Sequence, residues 1–264
     1  MIQRIVLLSL LSLLVLSACT RQEPATNPAK TKRGEQLFEK AALFEAGKGG
    51  YFCYRIPALA VSENGTVLAF CEARKNNCRD WDDIDIVVKR SFDNGKSWSK
   101  MTVVRGDGVN SINQPTPVID RDTNEILLLF CRNNQQVFVT RSKDDGASWS
   151  EPVEITRQVK DPSWHYVGSG PGHGIQLKNG RLLIPAWADT TPGPITWAPS
   201  ANWGKIQFSY TFDSDDHGVT WRRGQTLDTD LSDECQVVET SDGKVYMNMR
   251  SRQGKHRRLS LIHI

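Results

Sequence analysis

Ser91-Phe92-Asp93-Asn94-Gly95-Lys96-Ser97-Trp98, Ser142-Lys143-Asp144-Asp145-Gly146-Ala147-Ser148-Trp149 and Ser214-Asp215-Asp216-His217-Gly218-Val219-Thr220-Trp221 share one pattern, S-x-D-x-G-x-[ST]-W. Each follows a β-rich run: Ile84 to Arg90, Val137 to Arg141 and Ile206 to Phe212. The chemistry suits a tight hairpin. The aspartate accepts turn N–H bonds, the glycine takes a positive φ, and the tryptophan covers the turn. One copy would say little. Three copies, each after a strand, predict a repeated blade-like β unit in which the motif is structural, with no catalytic part.

Other short runs fit the same unit. Thr66 to Cys71, Arg181 to Trp187 and Val245 to Arg250 are β-rich and bounded by Asn64-Gly65, Asn179-Gly180 and Asp242-Gly243, which are hairpin signals. Only Gly34 to Phe44 reads as helical, ahead of the first unit. Eight Trp and twenty Gly also favour an all-β chain rich in turns. Hydrophobic residues make up 39% and charged ones 24%, which excludes a disordered chain and a multi-span membrane protein. The net charge is +3, but Arg250, Arg252, Lys255, Arg257 and Arg258 crowd one acid-free stretch, and without them the balance is 3 − 5 = −2. No general basic face is left to argue for nucleic acid.

Residues 1–19 read as a targeting signal. Arg4 precedes an apolar run from Ile5 to Leu16, too short for a membrane span and ending in small residues. Leu16-Ser17-Ala18-Cys19 resembles a bacterial lipobox, in which Cys19 is lipidated and becomes the mature N-terminus; an ordinary secretory signal is the alternative. Residues 20–40, polar and with Pro24 and Pro28, suit a tether. Localisation is then export, with a lipid anchor on a bacterial membrane. Cys53, Cys71, Cys78, Cys131 and Cys235 remain, an odd number with no C-x-x-C, and the histidines lack metal-ligand spacing. Export permits disulfides, yet no framework is evident. Cys71 and Cys131 end apolar runs and read as buried small side chains.

The three repeats are Asp boxes of the kind found in sialidases and several other β-propellers. Tyr54-Arg55-Ile56-Pro57-Ala58-Leu59 contains the R-I-P motif that opens sialidase catalytic domains, and it precedes the first box as it does in that family. Further motifs follow in the family's order: Glu72-Ala73-Arg74, Asp80, then Ile84 to Ser91; Gly170-Pro171-Gly172-His173-Gly174 before Leu182 to Ala186; Glu234-Cys235-Gln236-Val237; and Met247-Asn248-Met249-Arg250-Ser251. The chain thus resembles a bacterial exo-α-sialidase over about Leu43 to Arg258, with residues 41–258 as the catalytic propeller. The resemblance implies an all-β, six-bladed propeller, of which about four blades are present here, with the site at the central mouth. It implies retaining hydrolysis of terminal α-linked sialic acids on glycoproteins, glycolipids and oligosaccharides, no cofactor or metal, and a monomer touching a membrane only through its lipid.

The residues suit that substrate. Sialic acid carries a carboxylate on its anomeric carbon, and arginine holds a carboxylate with a planar fork that keeps its charge. By resemblance, Arg55 and Arg250 are two of the family's three carboxylate-holding arginines, and Arg74 is a further pocket arginine. Asp80 matches the acid/base that protonates the leaving oxygen, with Asp83 or Asp85 as alternatives in the same acidic run, where mutual repulsion would help keep one carboxyl protonated. Glu234 matches the base that activates a tyrosine nucleophile, an exception to the two-carboxylate scheme because a carboxylate nucleophile would repel the substrate's own. His173, Trp187 and Trp164 either line the pocket or pack between blades. A sialic-acid-binding lectin or adhesin is one alternative, although it would need neither Asp80 nor Glu234. Transfer to an acceptor, as in a trans-sialidase or by an intramolecular route, is the other.

The pattern departs from the family at its end. The nucleophilic tyrosine and third arginine follow the position of Arg250 in the family, whereas Tyr51, Tyr54, Tyr166, Tyr210 and Tyr246 all precede it and none has the nucleophile's motif context. Residues 259–264 resemble translated sequencing adapter. The expectation is a fragment that, expressed as written, folds poorly and does not turn over.

Overall fold

In the computed structural model, residues 40–191, 206–226, 231–252 and 258–262 are described. The leader, Cys19 and the tether lie outside them, as does most of the run read as helical; its last residues, 40–44, are not helical. The one α-helix among the described residues is α1 (Thr156–Val159).

Residues from Ala42 onward form one compact unit of four antiparallel sheets in chain order. Blade 1 is β1 (Cys53–Val61), β2 (Val67–Arg74), β3 (Ile84–Ser91) and β4 (Thr102–Arg105). Blade 2 is β5 (Ile112–Asp120), β6 (Glu125–Arg132), β7 (Gln136–Ser142) and β8 (Val153–Glu154). Blade 3 has its first strand in two pieces, β9 (Tyr166–Ser169) and β10 (Ile175–Gln176), followed by β11 (Leu182–Asp189), β12 (Gln207–Ser214) and β13 (Arg222–Thr226). Blade 4 comprises β14 (Ser232–Glu239), β15 (Val245–Ser251) and β16 (Arg258–Ile262). The first strands of blades 2, 3 and 4 each contact the preceding blade, as in a propeller. The terminal residues read as adapter sequence include Leu259 to Ile262, which pair with β15 as the third strand of blade 4.

The core lies between blades, which explains apolar runs without alternation. Successive side chains on a strand point to opposite faces. On β6, Ile126, Leu128 and Phe130 pack with Leu68, Phe70, Ile86 and Val88 of blade 1. Leu127, Leu129 and Cys131 of the same strand face Ile184, Ala186, Tyr210 and Phe212 of blade 3. A strand buried on both faces has to be apolar at every position, and each such side chain contributes ~1.5–3 kcal/mol. Leu183 turns the other way, to Cys235, Val237 and Met247 of blade 4. Cys71 and Cys131 are buried and free, as expected from their positions, and so is Cys235.

The three boxes share one set of bonds. In the first, Ser91 Oγ donates to Asp93 Oδ1 at 2.8 Å and accepts from the Gly95 N–H at 2.8 Å; Ser97 donates its N–H to Oδ1 and its Oγ–H to Oδ2 of Asp93. Asp144 and Asp216 repeat the arrangement. Two consecutive residues take positive φ in each turn, as at Asn94 (58°) and Gly95 (86°). The turns also join blades. Asp145 of the second box accepts from Asn64 Nδ2 in the β1–β2 hairpin at 3.1 Å, and His217 of the third lies 2.9 Å from Asp120 Oδ2 at the end of β5. A Cβ on Gly146 or Gly218 would strike Leu68 or Leu127 of the preceding blade.

These bonds require ionised aspartates. The Ser97 hydroxyl and N–H hold Asp93 down at about 2. At Asp144 and Asp216 burial pushes the carboxyl up, but the bonds from Ser148 and Thr220 outweigh it, and both also sit at about 2. A depressed value means the stabilisation is complete above the ordinary aspartate value of 3.8 and is lost as pH falls toward 2. Tryptophan fluorescence should report unfolding across that window. The triple variant Asp93→Asn, Asp144→Asn, Asp216→Asn should flatten this acid limb, whereas an unchanged limb would show that these ionisations are not linked to folding.

Candidate active site

The first strand of every blade is interrupted at the same level. The β1–β2 register shifts between Arg55 and Ala58, where Ile56 has φ 52°. The β5–β6 register shifts between Asn113 and Thr116, where Gln114 has φ 59°. In blade 3 the sequence Gly170 to Gly174 separates β9 from β10, with Gly170 at φ 76° and Gly172 at φ 119°. The β14–β15 register shifts between Ser232 and Cys235, at Asp233 and Glu234. Such interruptions re-aim side chains. Arg55, Gln114, His173 and Glu234 lie at these breaks, one per blade.

The breaks touch one another. Glu72 Oε1 of β2 accepts the Gln114 N–H at 2.9 Å, Ser169 Oγ donates to Gln114 O at 3.0 Å, and the Cys235 N–H reaches Gly170 O at 3.5 Å. A line of hydrogen bonds therefore crosses all four blades beside the expected site residues.

On the blade 1 side, Arg55 Nη1 is 2.8 Å from Asp80 Oδ1, and Arg74 Nη1 is 2.9 Å from the same oxygen. Arg74 also bonds Glu72 Oε2 through Nη2 (2.6 Å) and Nε (3.2 Å), and both side chains of this pair are only 2% exposed. Burial pushes the Glu72 carboxyl up, against the pull of Arg74 and the Gln114 N–H. Asp80 itself is open, with a side-chain exposure of 64%. Its acidic neighbours are engaged elsewhere: Asp82 accepts from Asn76, Asn77 and the Asp83 N–H, Asp83 pairs with Lys75, and Asp85 accepts from Tyr51. The repulsion expected within the acidic run is thus answered residue by residue. Of Asp80, Asp83 and Asp85, it is Asp80 that meets the two arginines.

On the blade 4 side, Arg250 grips Asp233 with Nε at 2.8 Å and Nη2 at 2.5 Å, and reaches Glu234 Oε2 with Nη1 at 2.6 Å. Asp233, fully buried, also takes Arg252 Nε at 2.5 Å. Burial pushes the Glu234 carboxyl up; Arg250 lowers it, while Asp233 and Asp80 add to the rise. Burial also raises the phenol of Tyr166 on β9 well above the usual value, Glu72 and Asp80 add to that, and the Gln114 side chain hydrogen-bonds it.

The aromatic candidates divide. Trp187 is buried, its ring 4.4 Å from that of Tyr166, with Nε1 left without a hydrogen bond. Trp164 packs edge-on to Phe208 and Tyr210 under Arg223, so it is a core residue between blades. His173 is exposed, with Nδ1 3.1 Å from Gly174 O. Sequence reasoning passed over Asp233 and Gln114, weighed Tyr166 only as a nucleophile, and quoted Glu72 only as part of a motif. A tandem of acids at 233–234 was the one visible signal. It also gave no reason to pair Cys53 with Cys78, which form a disulfide with Cα atoms 5.5 Å apart. Asp120, Asp122 and His217 gather potential metal-ligand atoms, but Gln176 Nε2 donates to both aspartates and His217 Nδ1 bonds Asp120, so the group reads as a clasp between blades.

Residues 65–261 match the family of BNR repeat-like domains. A sialidase of Bacteroides fragilis is 30% identical over 246 residues, covering 82% of this chain and 43% of that protein. An exo-alpha-sialidase of Aspergillus fumigatus is 29% identical, covering 94% of this chain and 65% of its own length. Among solved structures, the Hadza microbial sialidase Hz136 superposes with a TM-score of 0.72 at 30% identity, over 82% of this chain and 45% of that one. The chain belongs to the sialidase family of BNR-repeat propellers, and it spans between 43% and 65% of the length of these two curated relatives.

The buried Glu72–Arg74 pair makes a direct prediction. Removing the charge of Glu72 leaves buried Arg74 with only the exposed Asp80 as counter-charge, and breaking a buried pair costs roughly 3–5 kcal/mol. Glu72→Gln should lower the free energy of chemical denaturation by about that much; a change within about 0.5 kcal/mol, typical of surface positions, would show the pair to be unimportant.

Proposed function

We propose that this protein is a retaining exo-α-sialidase that releases terminal α-linked sialic acid from glycoproteins, glycolipids and oligosaccharides. One observation carries the reading. Arg55 and Arg74 meet on Asp80 in blade 1, Arg250 meets Glu234 in blade 4, and hydrogen bonds between the strand breaks link these blades through blades 2 and 3. Arg55 and Arg250 would hold the substrate carboxylate, displacing the carboxylates they now pair with, and Arg74 would sit beside them. Asp80, exposed and at the edge of the arginines, would protonate the leaving oxygen. Glu234, with its carboxyl raised by burial, would accept the proton of a tyrosine nucleophile.

The resemblance sets that tyrosine later in the pattern than Arg250. Tyr166 is not assigned the role, because its raised phenol favours the neutral form. Half-buried Tyr166, backed by buried Trp187, would form a wall for the sugar, and exposed His173 would lie at the rim. No step calls for a metal or cofactor. Export with lipidation at Cys19 is part of the same proposal. It is supported by Leu16-Ser17-Ala18-Cys19 and by a Cys53–Cys78 disulfide that suits an oxidising compartment. A monomer acting on sialylated glycans completes the reading. The presence of both an acid and a base favours hydrolysis over a binding module.

Two experiments on protein expressed from the complete reading frame test it. NMR of the first-formed sugar should show the α anomer, the retained configuration; an initially inverted product would rule out the double displacement. Arg55→Lys keeps the charge but loses the fork. Each lost charge-assisted bond is worth roughly 1.5–3 kcal/mol, so kcat/KM should fall by at least about tenfold. Unchanged kinetics would show that Arg55 does not hold the carboxylate.

A further inference from the structure

We propose that the Cys53–Cys78 disulfide is a positioning element for Asp80, fixing the Lys75–Asp83 loop against β1 so that Asp80 meets Arg55 and Arg74. The role of Asp80 in catalysis rests on the sialidase reading; the staple itself is argued from geometry. Cys53 lies two residues before Arg55 on β1, and Cys78 two residues before Asp80 in the loop. The bond thus ties together the two segments whose side chains form the 2.8 Å Arg55–Asp80 pair.

The register shows what the bond does and does not do. Cys53 already pairs with Arg74 across the β1–β2 ladder. In the unfolded chain, where that ladder is absent, the bond closes the full sequence separation of 25, an effect shared by the whole fold; in the folded chain it pins only the short stretch from Arg74 to Cys78. Its local effect falls on the loop. Other bonds of this part of the loop are internal to it: Asn76 and Asn77 donate to Asp82, the Arg79 N–H donates to Asn77 Oδ1, and Lys75 pairs with Asp83; Asn76, Cys78, Arg79 and Asp80 are exposed, and Trp81 is half-buried. The Cys78 carbonyl accepts from Arg74 Nη1 at 2.7 Å, and beyond Asp80 the Asp82 N–H donates to Ser111 Oγ at 3.0 Å. Asp80 is suspended between these two anchors, and one of them is covalently fixed. A shift of about 1 Å in a catalytic group is enough to cost on the order of a hundredfold in rate.

The test uses the double variant Cys53→Ser, Cys78→Ser. In protein from the complete reading frame, backbone amide hydrogen exchange at Arg79 to Asp82 should quicken by about tenfold or more beyond any change shared by the box amides of Ser97, Ser148 and Thr220, because the opening is local. Dithiothreitol, which supplies the two electrons and two protons that turn the bond into two thiols, should reproduce this in the wild type and leave the double variant unchanged.

In protein from the complete reading frame, kcat on an alkyl-linked sialoside should drop by about tenfold or more, with a smaller loss on an aryl sialoside, whose leaving group needs less protonation. Equal losses on both substrates would reduce the bond to a stabiliser and overturn its positioning role. Unaltered exchange in the loop would overturn the staple altogether. If the wild type hydrolyses neither sialoside, the sialidase reading fails, and the exchange measurement alone decides the staple.

Discussion

Everything in the candidate site depends on the inner strands being broken where neighbouring blades meet. An unbroken strand would spend its backbone groups on its own ladder. The register shifts at Arg55, Gln114 and Asp233–Glu234, and the gap after Ser169, release backbone groups that then bond across blades. The Gln114 N–H goes to Glu72, the Gln114 carbonyl accepts from Ser169, and the Gly170 carbonyl accepts from Cys235. The same departures re-aim Arg55 and Glu234, while Arg74 and Arg250 lie at or near the ends of β2 and β15. The positive φ of Ile56 and Gln114 is a local cost of that arrangement, offset by apolar layers packed on both sides of the blades.

The electrostatics follow from the same geometry. Each arginine is already matched to carboxylates: Arg55 to Asp80, Arg74 to Glu72 and Asp80, Arg250 to Asp233 and Glu234. Burial separates these acids by task. Glu72 and Asp233 are enclosed and act as fixed counter-charges that hold Arg74 and Arg250 in place. Asp80 and Glu234 keep access to solvent, as the proposed proton-transfer roles require. This division needs no change of residue type, only a different depth in the propeller.

The sequence was most legible where interacting residues are consecutive. The boxes were readable because Ser91, Asp93, Gly95 and Ser97 satisfy one another within a single turn. The apolar run Ile126 to Cys131 pointed to a buried strand, and both of its faces are covered. What could not be read lies across blades. Asn64 and Asp145, or Asp120 and His217, are joined only by the stacking of sheets. The Cys53–Cys78 bond depends on the β1–β2 register and on the loop turning back, neither of which spacing reveals. Arg55, Asp80, Glu234 and Arg250 are legible from motif order, and the structure adds the strand breaks and ion pairs that hold Arg55 on Asp80 and Arg250 on Glu234. Glu72 and Asp233, which hold two of those arginines, carry no pattern of their own.

The central claim is that arginines from separate blades grip one carboxylate at the level of the strand breaks. A crystal structure of the protein with sialic acid bound tests it most directly. The expected result is the sugar carboxylate within hydrogen-bonding distance of both Arg55 and Arg250, with Asp80 turned toward the anomeric oxygen. A sugar bound elsewhere, with the Arg55–Asp80 and Arg250–Glu234 pairs intact, would contradict it.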